Sequence, residues 1–94
     1  MSGSRLVNVG FGNMVMVSRA LAIINPDSAP VKRIVQEAKA RSAAIDATCG
    51  RRTRSVVIMD NDSIILSALQ TETLAARIEA LTALGTPEAL DMKL

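Results

Sequence analysis

A small α+β domain, an antiparallel sheet of about five strands with two helices, is the fold class this sequence predicts. Three observations lead there. Short apolar runs of strand length are separated by clusters of Gly, Asn, Asp and Ser, the residue types that turns require. Two longer segments carry apolar residues at the three- and four-residue spacing of a helix. Ninety-four residues, 49% of them hydrophobic, suffice for one core but not for two. Aromatics are 1%, a single Phe11, so that core is built from Val, Ile, Leu, Met and Ala and is thin for a monomer. Residues 1–86 read as one domain and 87–94 as a flexible C-terminal tail.

Taken in order, Leu6, Val7 and Val9 surround the polar Asn8, and Gly10, Phe11, Gly12 and Asn13 follow, which gives a strand entering a hairpin turn. Met14 to Val17 is the return strand. After Ser18 and Arg19 the apolar run Ala20 to Ile24 continues that strand beyond a bulge, placing Arg19 at the irregularity. Asn25, Pro26 and Asp27 turn the chain. Ser28 then caps a helix that has Pro30 in its first turn and reaches about Ser42. Its apolar stripe is Val31, Ile34, Val35 and Ala38, with Lys32, Arg33, Gln36, Lys39 and Arg41 largely off it. Ile45 to Thr48 is short and extended, Gly50 to Arg54 is a polar connection, and Ser55 to Met59 is a strand. Asp60, Asn61 and Asp62 turn the chain into a partner strand, Ile64 to Leu69. Thr71 to about Leu84 is the second helix, with Leu74, Ile78 and Leu81 on one side and Gly85 and Pro87 ending it.

Met14 to Val17, Val56 to Met59 and Ile64 to Leu66 are continuous apolar runs, where a half-solvated antiparallel sheet would alternate apolar with polar residues. Both sheet faces therefore need cover. If the two helices share one face, the other face or an edge is left for a second copy, so a homo-oligomer is expected. The alternative places one helix on each face and lets the monomer close on itself. Charged residues at 21% exclude a disordered chain, and no apolar run approaches the roughly 20 residues of a membrane span. One cysteine forms no internal disulfide, and the N-terminus lacks a signal-peptide pattern, which points to the cytoplasm.

The net charge of +2 conceals an asymmetry. Residues 1–57 carry nine Lys or Arg against three acids, and residues 58–94 carry two against six. Such polarity implies a basic face and an acidic face, and hence an anionic partner; charges that interleave on folding are the alternative.

The Gly-Phe-Gly-Asn stretch has the glycines of a phosphate cradle but neither the Gly-Lys-Ser/Thr ending of a P-loop nor the third glycine of a dinucleotide fingerprint, so it is a hairpin turn. Asp60, Asn61 and Asp62 are turn residues before they are metal ligands, and no metal is expected. Cys49 lies beside Gly50, Arg51 and Arg52, a setting that favours its thiolate. With no His and no Tyr, however, a nucleophile lacks its usual base, so neither an enzyme, a cofactor nor a small-molecule substrate is expected.

Arg51, Arg52 and Arg54 are the most informative residues. Three guanidiniums within four residues must stay in water or meet an anion, and nothing acidic lies nearer in sequence than Asp46 and Asp60. A guanidinium holds two phosphate oxygens at once and stays charged. If Gly50 bends the chain, Arg51 and Arg52 point the same way, and Arg54 is the one most suited to a structural task. A solvated loop with intramolecular ion pairs is the competing account. No Tyr, Trp or further Phe is interleaved, which favours a duplex backbone over the stacking platforms that bind single strands.

Together these stretches resemble the RemA family, the extracellular matrix regulatory proteins of bacteria. The resemblance rests on VGFGN (Val9 to Asn13), SAPVKR (Ser28 to Arg33), DATCGRRTR (Asp46 to Arg54), ILSA (Ile65 to Ala68) and QTET (Gln70 to Thr73), and it covers about residues 5–79. It implies a DNA-binding transcriptional regulator, an activator of biofilm-matrix and osmoprotection genes in the best-known members, working on double-stranded DNA as a ring-like homo-oligomer. Carried over by position, Arg19, Arg51 and Arg52 match the DNA-contacting arginines, and Lys32, Arg33 and Arg54 are auxiliary contacts. Pro30 matches a proline whose loss would damage the helix start or an assembly surface. The chain departs from the family at Cys49, where many relatives are expected to have tyrosine. The rival readings use the same basic surface for RNA or for a structural, interaction role.

Overall fold

The computed structural model describes residues 5–85, and the expected tail at 87–94 lies outside them. Six strands and two helices follow one another: β1 (Leu6–Asn8), β2 (Met14–Met16), a 3-10 turn (Val17–Arg19), β3 (Ala20–Ile24), α1 (Ala29–Ala40), β4 (Ala44–Asp46), β5 (Ser55–Met59), β6 (Ile64–Ser67) and α2 (Thr71–Gly85). Local signals set the limits of α1. The Ser28 hydroxyl accepts the Val31 N–H at 3.4 Å, and Pro30 occupies the first turn, where its missing N–H costs nothing. At the other end Ser42 takes the left-handed conformation (φ 58°), and the Ala43 N–H donates back to the Ala38 carbonyl at 2.7 Å, a helix stop of the kind usually made with glycine.

The strands do not make one antiparallel sheet of about five. β1 and β2 form a separate two-stranded hairpin, and the remaining strands form a four-stranded sheet in the order β3-β5-β6-β4. The physical cause of the split is the 3-10 turn. It turns the chain between Met16 and Ala20, so the apolar run that follows joins β5 instead of continuing β2. The second departure is that β4 pairs parallel to β6, while β3, β5 and β6 pair antiparallel. α1 carries the chain back along the sheet, so β4 starts at the same end as β3 and runs in the same direction.

The continuous apolar runs of β5 and β6 are explained by cover on both sides. Ala38 of α1 packs with Val56, Ile64 and Leu66, joined by Val31, Val35 and Ile58. Val57 and Ile65 face the other way, against Val7, Val9 and Val15 of the hairpin and Leu74 of α2. The four-stranded sheet therefore has one helix on each face, while the outer face of the β1–β2 hairpin is left uncovered, with Leu6, Met14 and Met16 exposed. Apolar exposure is also left at the edges: Leu21 on β3 and Ile45 on β4 are 68% and 57% exposed, one on each outer strand of the sheet.

Topology also decides where the arginines go. β4 and β5 are consecutive in the chain but are separated in the sheet by β6, so residues 47–54 must cross the C-terminal end of β6. The link into α2 and the tip of the β1–β2 hairpin are gathered at that same end. Two fully buried serines pin them there. The Ser67 hydroxyl donates to the Val9 carbonyl at 2.7 Å and accepts the Leu69 N–H at 3.0 Å, while the Ser55 hydroxyl donates to the Leu69 carbonyl at 2.7 Å.

Candidate nucleic-acid interface

The loop between β4 and β5 is built from its first residues. The Asp46 carboxylate accepts both the backbone N–H (2.9 Å) and the hydroxyl of Thr48, folding the chain onto itself as it leaves β4. These two bonds hold the Asp46 carboxyl below its ordinary value; Lys39 adds a smaller attraction, and slight desolvation opposes them. Ala47 donates to the Leu66 carbonyl at 2.9 Å and Arg51 to the Thr48 carbonyl at 3.0 Å. Cys49 (φ 56°) and Gly50 (φ 81°) then make a left-handed bend, and the Arg54 N–H rejoins the sheet at the Ser67 carbonyl, 2.8 Å away. A Cβ on Gly50 would meet nothing within 4 Å, so the glycine is there for its dihedral and not for space.

Facing this bend is the hairpin tip, where Gly10 (φ 117°), Phe11 (φ 55°) and Gly12 (φ 79°) are all left-handed. The tip is closely tied. Asn8 Oδ1 accepts the Gly10 N–H at 2.7 Å, the Gly10 carbonyl accepts from both the backbone and the side chain of Asn13, and the Val9 N–H donates to the Asn13 carbonyl. Phe11 is 55% exposed, and the Arg51 guanidinium lies over its ring at 5.9 Å from the centroid.

Arg51, Arg52 and Arg54 share one cleft with Phe11, floored by Ala68 and Leu69. Arg52 also borders a groove along α1 with Lys32, Lys39 and Asp27, and with Arg54 it borders another at the start of α2 with Glu72. Although Asp27 and Glu72 are nearby, none of the three guanidiniums has a hydrogen bond or ion pair among the described residues.

The other expected residues are distributed unequally. Lys32 joins the Arg52 groove, whereas Arg33, the next residue round α1, is exposed and lines neither groove. Pro30 is exposed in the first turn of α1. Arg19 is not brought to the cleft at all. It stands beyond the opposite end of β5, where its guanidinium meets Asp60 at 3.1 Å and its carbonyl accepts the Asp60 N–H at 2.8 Å. Arg54 and Asp60 flank β5, so the two arginine positions are separated by about 20 Å. The Asp60–Asp62 turn uses its side chains locally: Asn61 Oδ1 accepts the backbone and hydroxyl of Ser63, and Asp62 sits at φ 67°. Among the described residues no group of His, Cys, Asp or Glu is placed to hold a metal, and no helix is long and apolar enough to cross a membrane. Sequence reasoning treated Phe11 as part of a turn; the signal available was a lone aromatic set between two glycines.

Fold and site together define a small α+β module that presents, at one end of its sheet, a hydrogen-bonded loop of arginines with no ion pair among the described residues. The chain belongs to the RemA-like family, described as extracellular matrix regulatory protein A-like, whose family model matches residues 6–78. It is 61% identical over 75 residues to a protein of Dictyoglomus thermophilum, covering 80% of this chain and 88% of that one. A protein of Heliobacterium modesticaldum is 59% identical over 76 residues, covering 81% and 84%, and one of Caldicellulosiruptor saccharolyticus is 60% identical over 74 residues, covering 79% and 73%. All three relatives carry the name "Putative regulatory protein".

Proposed function

We propose that this protein is a cytoplasmic transcriptional regulator that grips duplex DNA through Arg51 and Arg52, and that it acts on genes of the biofilm-matrix type as a ring-like homo-oligomer. The observation that carries the reading is the set of three guanidiniums on a hydrogen-bonded loop with no ion pair among the described residues. Cations without an internal partner suit phosphate oxygens, and the hydrogen-bonded backbone that carries them is ordered before binding. Lys32 and Arg54 border the same surface and extend it along the backbone of the duplex; Arg33 contributes from the outer side of α1.

Assembly makes good what one chain lacks. A single subunit neutralises two or three phosphates and binds weakly, whereas several subunits on one duplex add their contacts through effective concentration. The exposed Leu21 and Ile45 on opposite edge strands support a head-to-tail contact, which repeats around a ring. In such an assembly Arg19 of one subunit reaches the duplex beside Arg51 and Arg52 of another. Specificity then comes chiefly from DNA shape and bendability.

Fluorescence anisotropy of a labelled duplex at several salt concentrations tests the reading. The native protein is expected to bind with a steep dependence on salt, and an Arg51→Ala, Arg52→Ala variant of native size is expected to lose it. Equal binding by both, or a slope no steeper than one pair of phosphate contacts, would overturn it. Competition with single-stranded RNA separates the two nucleic acids, and light scattering on the variant shows whether the arginines hold subunits together instead.

A further inference from the structure

The hairpin tip contains a residue that the fold itself does not need. Phe11 adopts a left-handed backbone, a conformation that a bulky L-residue occupies at a cost and that Asn or Gly occupies readily. Burial does not offset this cost, because more than half of the side chain is exposed. The neighbouring glycines carry no side chains to shield the ring, and the space around Gly12 is open. Strain retained at an exposed, closely hydrogen-bonded tip is a sign of use by a ligand.

The surroundings indicate what that ligand is. On the other side of the cleft stand Arg51, Arg52 and Arg54, with Ala68 and Leu69 as an apolar floor. The Arg51 guanidinium over the ring is at the outer range of a cation–π contact, so this pair alone does not account for the exposed aromatic. An apolar ring flanked by unpaired guanidiniums matches a polymer that presents flat apolar bases between phosphates. Single-stranded nucleic acid would call for several stacking rings, and each chain has one. One rigid ring per subunit suits a duplex, in which a lone Phe acts as a wedge at a base step.

Resting on the DNA-binding reading above, we infer that Phe11 is a DNA-contacting residue: it lodges as an apolar wedge against a base step while Arg51 and Arg52 hold the flanking phosphates. Wedging is easiest at flexible pyrimidine–purine steps, so Phe11 gives a chain with few base-reading side chains a means of choosing where it sits.

Phe11→Asn tests this without endangering the fold, since Asn is at ease in the left-handed region. Anisotropy titrations at several salt concentrations would compare the native protein, Phe11→Asn and Arg51→Ala on a duplex rich in TA steps and on one lacking them. For Phe11→Asn we expect an affinity about tenfold lower on the TA-rich duplex, an unchanged salt slope, an unchanged or higher melting temperature and no preference between duplexes. An apolar contact releases no counterions, whereas Arg51→Ala should flatten the slope. In a Phe11→Trp variant the introduced indole is the one Trp of the chain, and its fluorescence should be quenched on binding duplex.

Native-like binding by Phe11→Asn on both duplexes, or an unquenched Trp in a variant that still binds, would overturn the inference. A slope flattened as in Arg51→Ala would overturn it too, leaving Phe11 only as a support for Arg51. In each of those cases the native protein still binds DNA, so the underlying reading survives. Failure of the native protein to bind either duplex at low salt would remove both.

Discussion

The two ends of the four-stranded sheet treat their arginines in opposite ways. At the C-terminal end of β6, the guanidiniums of Arg51, Arg52 and Arg54 are without an ion pair among the described residues. At the other end Arg19 is bound to Asp60, and the Arg41 guanidinium donates to the Asp62 carbonyl at 3.0 Å. The difference follows from how the strands are joined. A tight turn between neighbours, Asp60–Asp62, brings short acidic side chains and free carbonyls within reach of nearby cations. The long connection over the end of β6 spends the Asp46 carboxylate on the N–H and hydroxyl of Thr48 and leaves the arginines without an ion pair among the described residues. Counting charges along the chain does not distinguish these cases; the topology does.

The strongest way to break this contrast is at the free end. Replacing Arg51 and Arg52 together by Ala should lower duplex affinity about a hundredfold or more near ~0.1 M salt, because each loses a charge-assisted hydrogen bond and a released counterion. Anisotropy measures it, and circular dichroism should show a native fold because neither guanidinium has a hydrogen bond or ion pair among the described residues and Arg51 loses only its contact with the exposed Phe11 ring. Next comes the staple beneath that end. Ser67→Ala leaves the buried Val9 carbonyl without its 2.7 Å donor and should destabilise the domain by about 1–3 kcal/mol, read as a lower thermal midpoint. Loosening the hairpin against the loop should also weaken binding, but by less than loss of the arginines does.

At the paired end the expected effects are smaller. Arg19→Ala should reduce duplex affinity only severalfold and stability by less than about 1 kcal/mol, since its pair with Asp60 is exposed to solvent and screened. A loss as large as that of the double variant would show that the ion pair opens on binding and that the two ends are equivalent. The smallest effect concerns pH. The Asp46 carboxyl lies below its ordinary value, so the stability it contributes is present above about pH 4 and is lost as pH falls through the lowered value. Thermal melts of the native protein should fall more steeply on acidification than those of Asp46→Asn, which keeps an acceptor for Thr48 but no longer titrates.

Much of the local structure was legible in the residues. Ala20–Ile24 and Ser55–Met59 are strands over the expected limits, and Ser28 with Pro30 starts α1 where the cap and proline signals place it. Gly50 bends the chain at the arginines, as its position between Cys49 and Arg51 implied. Locally, the strands expected at Ile64 to Leu69 and Ile45 to Thr48 are Ile64–Ser67 and Ala44–Asp46; the larger misreading was long-range. Residues 17–19 looked like a bulge inside one strand, yet they divide two sheets, because a strand's partner is chosen by packing and not by its own pattern. Within one subunit Arg19 lies at the opposite end of the sheet from Arg51 and Arg52, a separation that no local pattern announces.

By itself, then, the sequence determined which segments are helical or extended, where turns fall and which loop concentrates guanidiniums, because caps, turn dihedrals and hydrophobic period act over a few residues. Only the tertiary structure decided that β4 lies parallel to β6, that one helix covers each face of the four-stranded sheet, that Phe11 shares a cleft with three arginines, and that Arg19 has an acid while Arg51 has none among the described residues. Those outcomes depend on contacts between residues far apart in the chain, such as Ala44 beside Ile64, Arg19 with Asp60 and Phe11 with Arg51, and no local period records them.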